Sequence, residues 1–126
     1  MPPKSNIVPL AIKPSEVPLT ALFKALGDEL RINILRVLKE GSLSVTELCH
    51  IFELGQSALS HHLKVMVKAN LLTRRREGTV TFYRRQLAEG HHSALIDEAL
   101  HQVDGAPLSQ TLTEGMARVR KLREQN

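Results

Sequence analysis

The residues best suited to chemistry fall in one run, Gln56-Ser57-Ala58-Leu59-Ser60-His61-His62-Leu63-Lys64, and in the triplet Arg74-Arg75-Arg76 that follows it. Glutamine can bond adenine through two hydrogen bonds, serine and histidine reach phosphates or base edges, and lysine and arginine pair with phosphate or guanine. This is the chemistry of recognition, not of bond breaking. No nucleophile stands in a pattern with an orienting base and acid, and no glycine-rich phosphate loop occurs, so neither an enzyme nor a resident cofactor is expected.

Charge supports the same reading. The chain carries a net charge of +4, and its pI is about 9.6. Between Gln56 and Arg85 the basic residues are Lys64, Lys68, Arg74, Arg75, Arg76, Arg84 and Arg85, against the single acid Glu77. A stretch so nearly of one sign suits a phosphate-facing surface whose contacts release counterions, the alternative being a solvated charged face. With Phe23, Phe52, Phe82 and Tyr83 as the only aromatics, the stacking platform of single-strand readers is scarce, so duplex DNA is the expected target.

The elements that must position these groups follow from periodicity. Leu19, Leu22, Phe23 and Leu26 recur at helical spacing before Gly27, and Asp28 caps a second helix carrying Leu30, Ile34, Val37 and Leu38, with Arg31, Arg36, Lys39 and Glu40 on its outer side. Ser44-Val45-Thr46-Glu47 is a capping-box pattern that opens a short helix through Phe52, and Gly55 serves as a turn. From Gln56 to Asn70 a helix buries Leu59, Leu63, Met66 and Val67 and leaves the polar, basic residues outside, which makes a helix-turn-helix. Residues 71–76 and 79–84 flank Glu77-Gly78 as the two strands of a hairpin, or wing, on which Arg74 and Arg76 share one side. A helix over 93–103 and a last one beginning at Pro107 complete the chain. The apolar stripe of that last helix, Leu108, Leu112, Gly115, Met116, Val119 and Leu122, is expected to make dimer contacts.

With 126 residues and 42% hydrophobic residues the chain suits one core. No apolar run reaches the roughly 20 residues of a membrane helix, and Met1-Pro2-Pro3-Lys4-Ser5 lacks a signal-peptide core, so a cytoplasmic location with no membrane partner is expected. Residues 1–18 hold five of the six prolines and read as a flexible arm. Cys49, the single cysteine, excludes an internal disulfide; packing is its expected role, since a redox switch would need a thiol from outside the chain.

Together, Ala25-Leu26-Gly27-Asp28-Glu29-Leu30-Arg31-Ile32, Glu47-Leu48, the run Gln56 to Lys64, Glu77-Gly78 and Phe82-Tyr83-Arg84 resemble the ArsR/SmtB family of repressors over about residues 19–104. The resemblance implies a homodimer on a palindromic operator, released by an inducer. It also allows the family's metal positions to be checked. The two thiolates of arsenic-sensing members fall on Ser44 and Thr46, with Cys49 matching only an accessory cysteine, and the zinc-sensing positions fall on Glu89, His91, Gln102 and Gly105. A slipped set, His91, His101 and Asp104, places one ligand about 100° away around a helix. No metal site is therefore assigned, and the inducer stays unknown.

The expectation is thus a mainly α fold with a small β-hairpin (α+β), a winged helix-turn-helix that dimerises through terminal helices. An arm (1–18) precedes a DNA-binding domain (19–104) and a C-terminal helix (105–126) for dimer contact. DNA contacts are assigned to Gln56, Ser57, Ser60, His61, Lys64, Arg74, Arg75 and Arg76 in transcription regulation as a repressor. Two other readings are a winged-helix protein-interaction module and the DNA-binding head of a longer regulator.

Overall fold

The computed structural model describes residues 17–125, so all but the last two residues of the expected arm lie outside the described residues. Helix α1 (Leu19–Leu26) is followed by α2 (Glu29–Val37), β1 (Leu43–Ser44), α3 (Val45–Phe52), α4 (Gln56–Lys68), β2 (Leu72–Glu77), β3 (Val80–Arg85), α5 (Ser93–Asp104) and α6 (Gln110–Glu124). The mainly α expectation with a hairpin holds. One core runs through all of it, from Leu22 on α1 through Ile34, Leu48, Leu59, Leu63 and Met66 to Val119 on α6.

Local chemistry sets the boundaries. Asp28 accepts from the Arg31 amide at 3.1 Å and starts α2. At α3 the capping box is complete: Ser44 Oγ accepts from the Glu47 amide at 3.1 Å, and Glu47 Oε1 accepts from the Ser44 amide at 2.8 Å. The turn into α4 uses Glu53, at φ 54°, as its left-handed residue, while Gly55 sits at φ −73° as the N-cap of α4. Helix α4 stops at Lys68, and Asn70 just beyond it, at φ 62°, reverses the chain, with the Leu71 amide returning to the Met66 carbonyl and the Asn70 amide to that of Val67; this left-handed termination turns the chain directly into the wing.

In the wing, β2 and β3 pair antiparallel with Arg74 opposite Tyr83, Arg75 opposite Phe82 and Arg76 opposite Thr81. Gly78, at φ 62°, turns the hairpin. The sheet has a third strand that periodicity could not reveal, because β1 is only two residues long: Leu43 and Ser44 pair with Tyr83 and Phe82, giving the order β1-β3-β2. This ties the base of the wing to the start of α3.

Three sequence expectations change. On α1 the buried residues are Leu22 and Ala25, whereas Leu19 and Phe23, 46% and 54% exposed, face outward. The last helix begins at Gln110 with Ser109 capping it, because the chain from Pro107 must first turn back from α5. Its stripe is not surplus either. Leu112, Gly115 and Val119 are buried within the chain, and α6 lies along α3 so closely that a Cβ on Gly115 would come within 2.8 Å of the Ile51 carbonyl oxygen. Only Leu122, 39% exposed, is left over as a large hydrophobe of that stripe.

Candidate nucleic-acid interface

Helix α4 is held by Leu59, Leu63 and Met66, all buried, and this face fixes the rest of the helix relative to the core. Gln56, Ser57, Ser60, His61 and Lys64 consequently stand exposed on the outer side. The N-terminus of α4 adds to them. No side chain caps it and no acidic residue lies in its first turn, so its first amides and the positive end of its dipole face outward together. Ala58, between the polar groups, is exposed as well and leaves room for close approach.

The wing presents the arginines in two different states. Arg74 and Arg76, on one side of β2, line a recess with their cross-strand partners Tyr83 and Thr81, so two cationic and two hydroxyl-bearing residues border one spot. Such a set matches the charge and hydrogen-bonding needs of a phosphate. Arg76 Nε also donates to the Gly78 carbonyl at 3.3 Å, which holds it near the tip. Arg75, on the opposite side, is engaged within the wing: its Nε donates to Glu77 Oε2 at 2.7 Å and its guanidinium lies 5.1 Å from the centroid of Phe82.

Arg85 leaves the phosphate-facing set that the charge count suggested. Its guanidinium donates to the Leu35 carbonyl and forks onto Asp104, Nη1 to Oδ2 at 2.9 Å and Nη2 to Oδ1 at 2.7 Å. This clasp joins β3 to the ends of α2 and α5, and the guanidinium holds the Asp104 carboxyl below its ordinary value. Asp104 is thereby spent. His91 lies in the turn before α5 and His101 near its other end, at about 1.5 Å of rise per intervening helical residue. Among the described residues no group of three or more histidine, cysteine or acidic side chains is arranged to hold a metal ion. Cys49 is half-buried against the core, and burial raises its thiol pKa, which fits packing better than thiolate chemistry.

Sequence reasoning missed two further groups. Arg31 and Arg36, expected on a solvent face of α2, are half-buried and bonded to other helices: Arg36 Nε donates to the Val103 carbonyl at 3.2 Å, and Arg31 reaches α1 and α4. The charged end of α6 grips α3 through Arg123, whose Nε and Nη2 meet Glu47 at 2.5 and 2.8 Å, and through Arg118, which donates to the His50 carbonyl at 2.9 Å. The Arg123 guanidinium holds the Glu47 carboxyl below its ordinary value. Both groups depend on residues distant in sequence, and no local pattern signals them.

The chain matches the model of a bacterial regulatory protein family, the arsR family, over residues 28–74, which run from the cap of α2 through β2 Arg74. It is 40% identical to an arsenical resistance operon repressor of Bacillus subtilis over 79 residues, 62% of this chain and 73% of the relative. Against the transcriptional activator HlyU of Vibrio cholerae it is 40% identical over 82 residues, 65% of this chain and 73% of the relative. The solved HlyU structure matches with a TM-score of 0.56, covering 69% of this chain and 91% of that one. The homodimeric winged helix-turn-helix DNA-binding domain Mb0332 of Mycobacterium bovis matches with a TM-score of 0.56 at 25% identity, covering 72% of this chain and 82% of that one. On this similarity, and with a winged helix-turn-helix whose α4 turns a polar outer face to solvent beside an exposed wing, the chain belongs to the arsR family of bacterial regulatory proteins.

Proposed function

We propose that this DNA-binding regulator acts as a homodimeric repressor that reads a palindromic operator and is released by an inducer. The observation that carries the reading is the exposed surface of α4, with its uncapped N-terminus, beside the Arg74–Arg76 recess of the wing. Gln56, Ser57 and Ser60 meet base edges, His61 and Lys64 meet bases and phosphates, and Arg74 and Arg76 fasten the wing to the backbone. Arg75 contributes after exchanging Glu77 for phosphate. Residues 19–104 form the DNA-binding unit, and α6 braces it through α3. The function is one of binding, without a chemical step.

The dimer contact in this proposal lies on α1 and α5. Leu19, Phe23 and Leu95 are large exposed hydrophobes on these helices, and the His92 ring, 2.8 Å from the Val17 carbonyl through Nε2, draws the beginnings of the two helices together. A second copy of the chain would cover them, together with Leu122, the large hydrophobe exposed on α6. Two-fold pairing presents two α4 helices to successive major grooves, the arrangement that calls for a two-fold operator.

The test is binding of the purified protein to duplex from its own promoter, against scrambled duplex, over a salt series and with Zn(II), As(III) or a thiol oxidant added. Two protomers per promoter site with a preference over scrambled DNA are expected, and an additive that abolishes the preference identifies the inducer class. Equal affinity for both duplexes would overturn the operator reading.

A further inference from the structure

His62 is the one polar residue of the Gln56–Lys64 run with a histidine, lysine or glutamine side chain that turns inward, and its surroundings give it a role distinct from DNA contact. Its Nδ1 lies 3.1 Å from Arg31 Nη1 and 3.8 Å from Asp28 Oδ1. The same guanidinium donates through Nε to the Ala25 carbonyl and through Nη2 to the Lys24 carbonyl, each at 2.9 Å. One side chain thus joins the end of α1, the beginning of α2 and the middle of α4. Because a guanidinium can only donate, Nδ1 must be the ring's unprotonated acceptor, and the proton of the neutral imidazole resides on Nε2.

We infer that His62 and Arg31 are positioning residues for DNA recognition: their hydrogen bond sets the orientation of α4, and proton uptake by His62 breaks it. A proton on Nδ1 would set two cationic donors against each other at 3.1 Å, and the nearest acceptor is the Asp28 carboxylate, which already caps α2 through the Arg31 amide. The groups facing the ring are accounted for on each packed element. Asp28 and Arg31 come from α2, α1 supplies the two carbonyls that anchor Arg31, and on α4 itself the His61 ring stands edge-on with its centroid 5.7 Å away. Protonation therefore exchanges the Arg31 bond for one to Asp28, loosening the α2 cap and re-aiming the helix that carries Gln56, Ser57 and Ser60. The inference rests on the DNA-binding reading for its consequence, though not for its geometry.

Two measurements test it. Long-range proton–nitrogen NMR of the free wild-type protein reports the His62 tautomer and follows α4 amide shifts during acidification. An Nε2-H tautomer at about pH 7.5, with amides of α1, α2 and α4 moving in step with His62, is expected; an Nδ1-H tautomer, or α4 amides indifferent to its titration, would overturn the link. The second is the ratio of promoter to scrambled-duplex affinity between about pH 7.5 and 5.5, each protein normalised to its own value at the upper pH. Wild type should lose about fivefold or more beyond whatever His62→Asn loses, because Asn offers a non-titrating acceptor near the Nδ1 position while the DNA-facing His61 is common to both proteins. Parallel pH profiles would overturn the inference. Absence of any promoter preference in wild type would instead sink the operator reading, leaving the NMR result to judge the His62–Arg31 link on its own.

Discussion

The two ends of the wing use the same residue type for opposite purposes. Near the tip, Arg74 and Arg76 are exposed and line, with Thr81 and Tyr83, a recess open to solvent. At the base, Arg85 is folded inward onto the Leu35 carbonyl and the Asp104 carboxylate, with only 15% of its side chain exposed. The difference is made by the partners within reach, not by the arginines. Near its base the hairpin passes the C-terminal ends of α2 and α5, which offer a carbonyl and an acid; beyond that it projects past the core, where Glu77 is the only acid of the strands. Exposed cations on a projecting element stay open to solvent, as the DNA contact proposed for Arg74 and Arg76 requires, while the clasped Arg85 ties that element to the core.

The largest test of this division is removal of the clasp. Arg85→Ala leaves the Asp104 charge and the Leu35 carbonyl half-buried without their donor, and should lower unfolding free energy by about 2–3 kcal/mol in a urea melt. A loss below about 0.5 kcal/mol, the range of ordinary surface substitutions, would place Arg85 with the free cations. The packing of α6 on α3 is tested next by Gly115→Ala, whose methyl must displace the Ile51 backbone. A cost of about 1–3 kcal/mol is expected in the same assay, and neutral behaviour would show that α6 is only loosely applied.

On the exposed side the effects shift from stability to recognition. Gln56→Ala and Ser60→Ala should each leave the melt nearly unchanged and reduce discrimination between promoter and mismatched duplex by about 1–3 kcal/mol at a single base position. Arg76→Ala should weaken binding to all duplexes and lower the slope of log affinity against log salt by about 1, whereas Arg85→Ala should leave that slope intact.

Acid should act on the clasped side. Glu47 and Asp104 both have carboxyl groups held below their ordinary values of 4.5 and 3.8, by Arg123 and Arg85 respectively. A depressed folded value means that the unfolded chain binds protons first as pH falls. Their stabilisation is fully present above the ordinary values and is lost as pH drops through the lowered folded ones. Urea midpoints should therefore fall between about pH 5 and pH 3, and less steeply in Arg123→Ala, where Glu47 loses its partner. A slope in that variant equal to wild type would remove Glu47–Arg123 from the account.

Much of the exposed side was legible in the sequence. The spacing of Leu59, Leu63 and Met66 gave the buried face of α4, so Gln56, Ser57, Ser60, His61 and Lys64 could be assigned outward, and alternation along the strand paired Arg74 with Arg76. Capping signals at Asp28 and Ser44 located two helix starts, because a cap is a bond between residues three apart. What stayed hidden is contact between segments far apart. Arg85, Arg31 and Arg123 look like other surface arginines until the fold brings Asp104, His62 and Glu47 to them. The same holds for α6: its stripe announced that something must cover it, but periodicity cannot say whether that is a second copy or the chain's own α3. The close approach at Gly115 belongs to the latter.

The most direct test of the central division is amide hydrogen exchange of the protein with and without promoter duplex. The account predicts added protection along α4 from Gln56 and along the wing from Arg74 to Thr81, with the clasp around Leu35, Arg85 and Asp104 and the α6 brace unchanged. Protection concentrated on α6 or α5, with α4 and the wing tip unaffected, would contradict it.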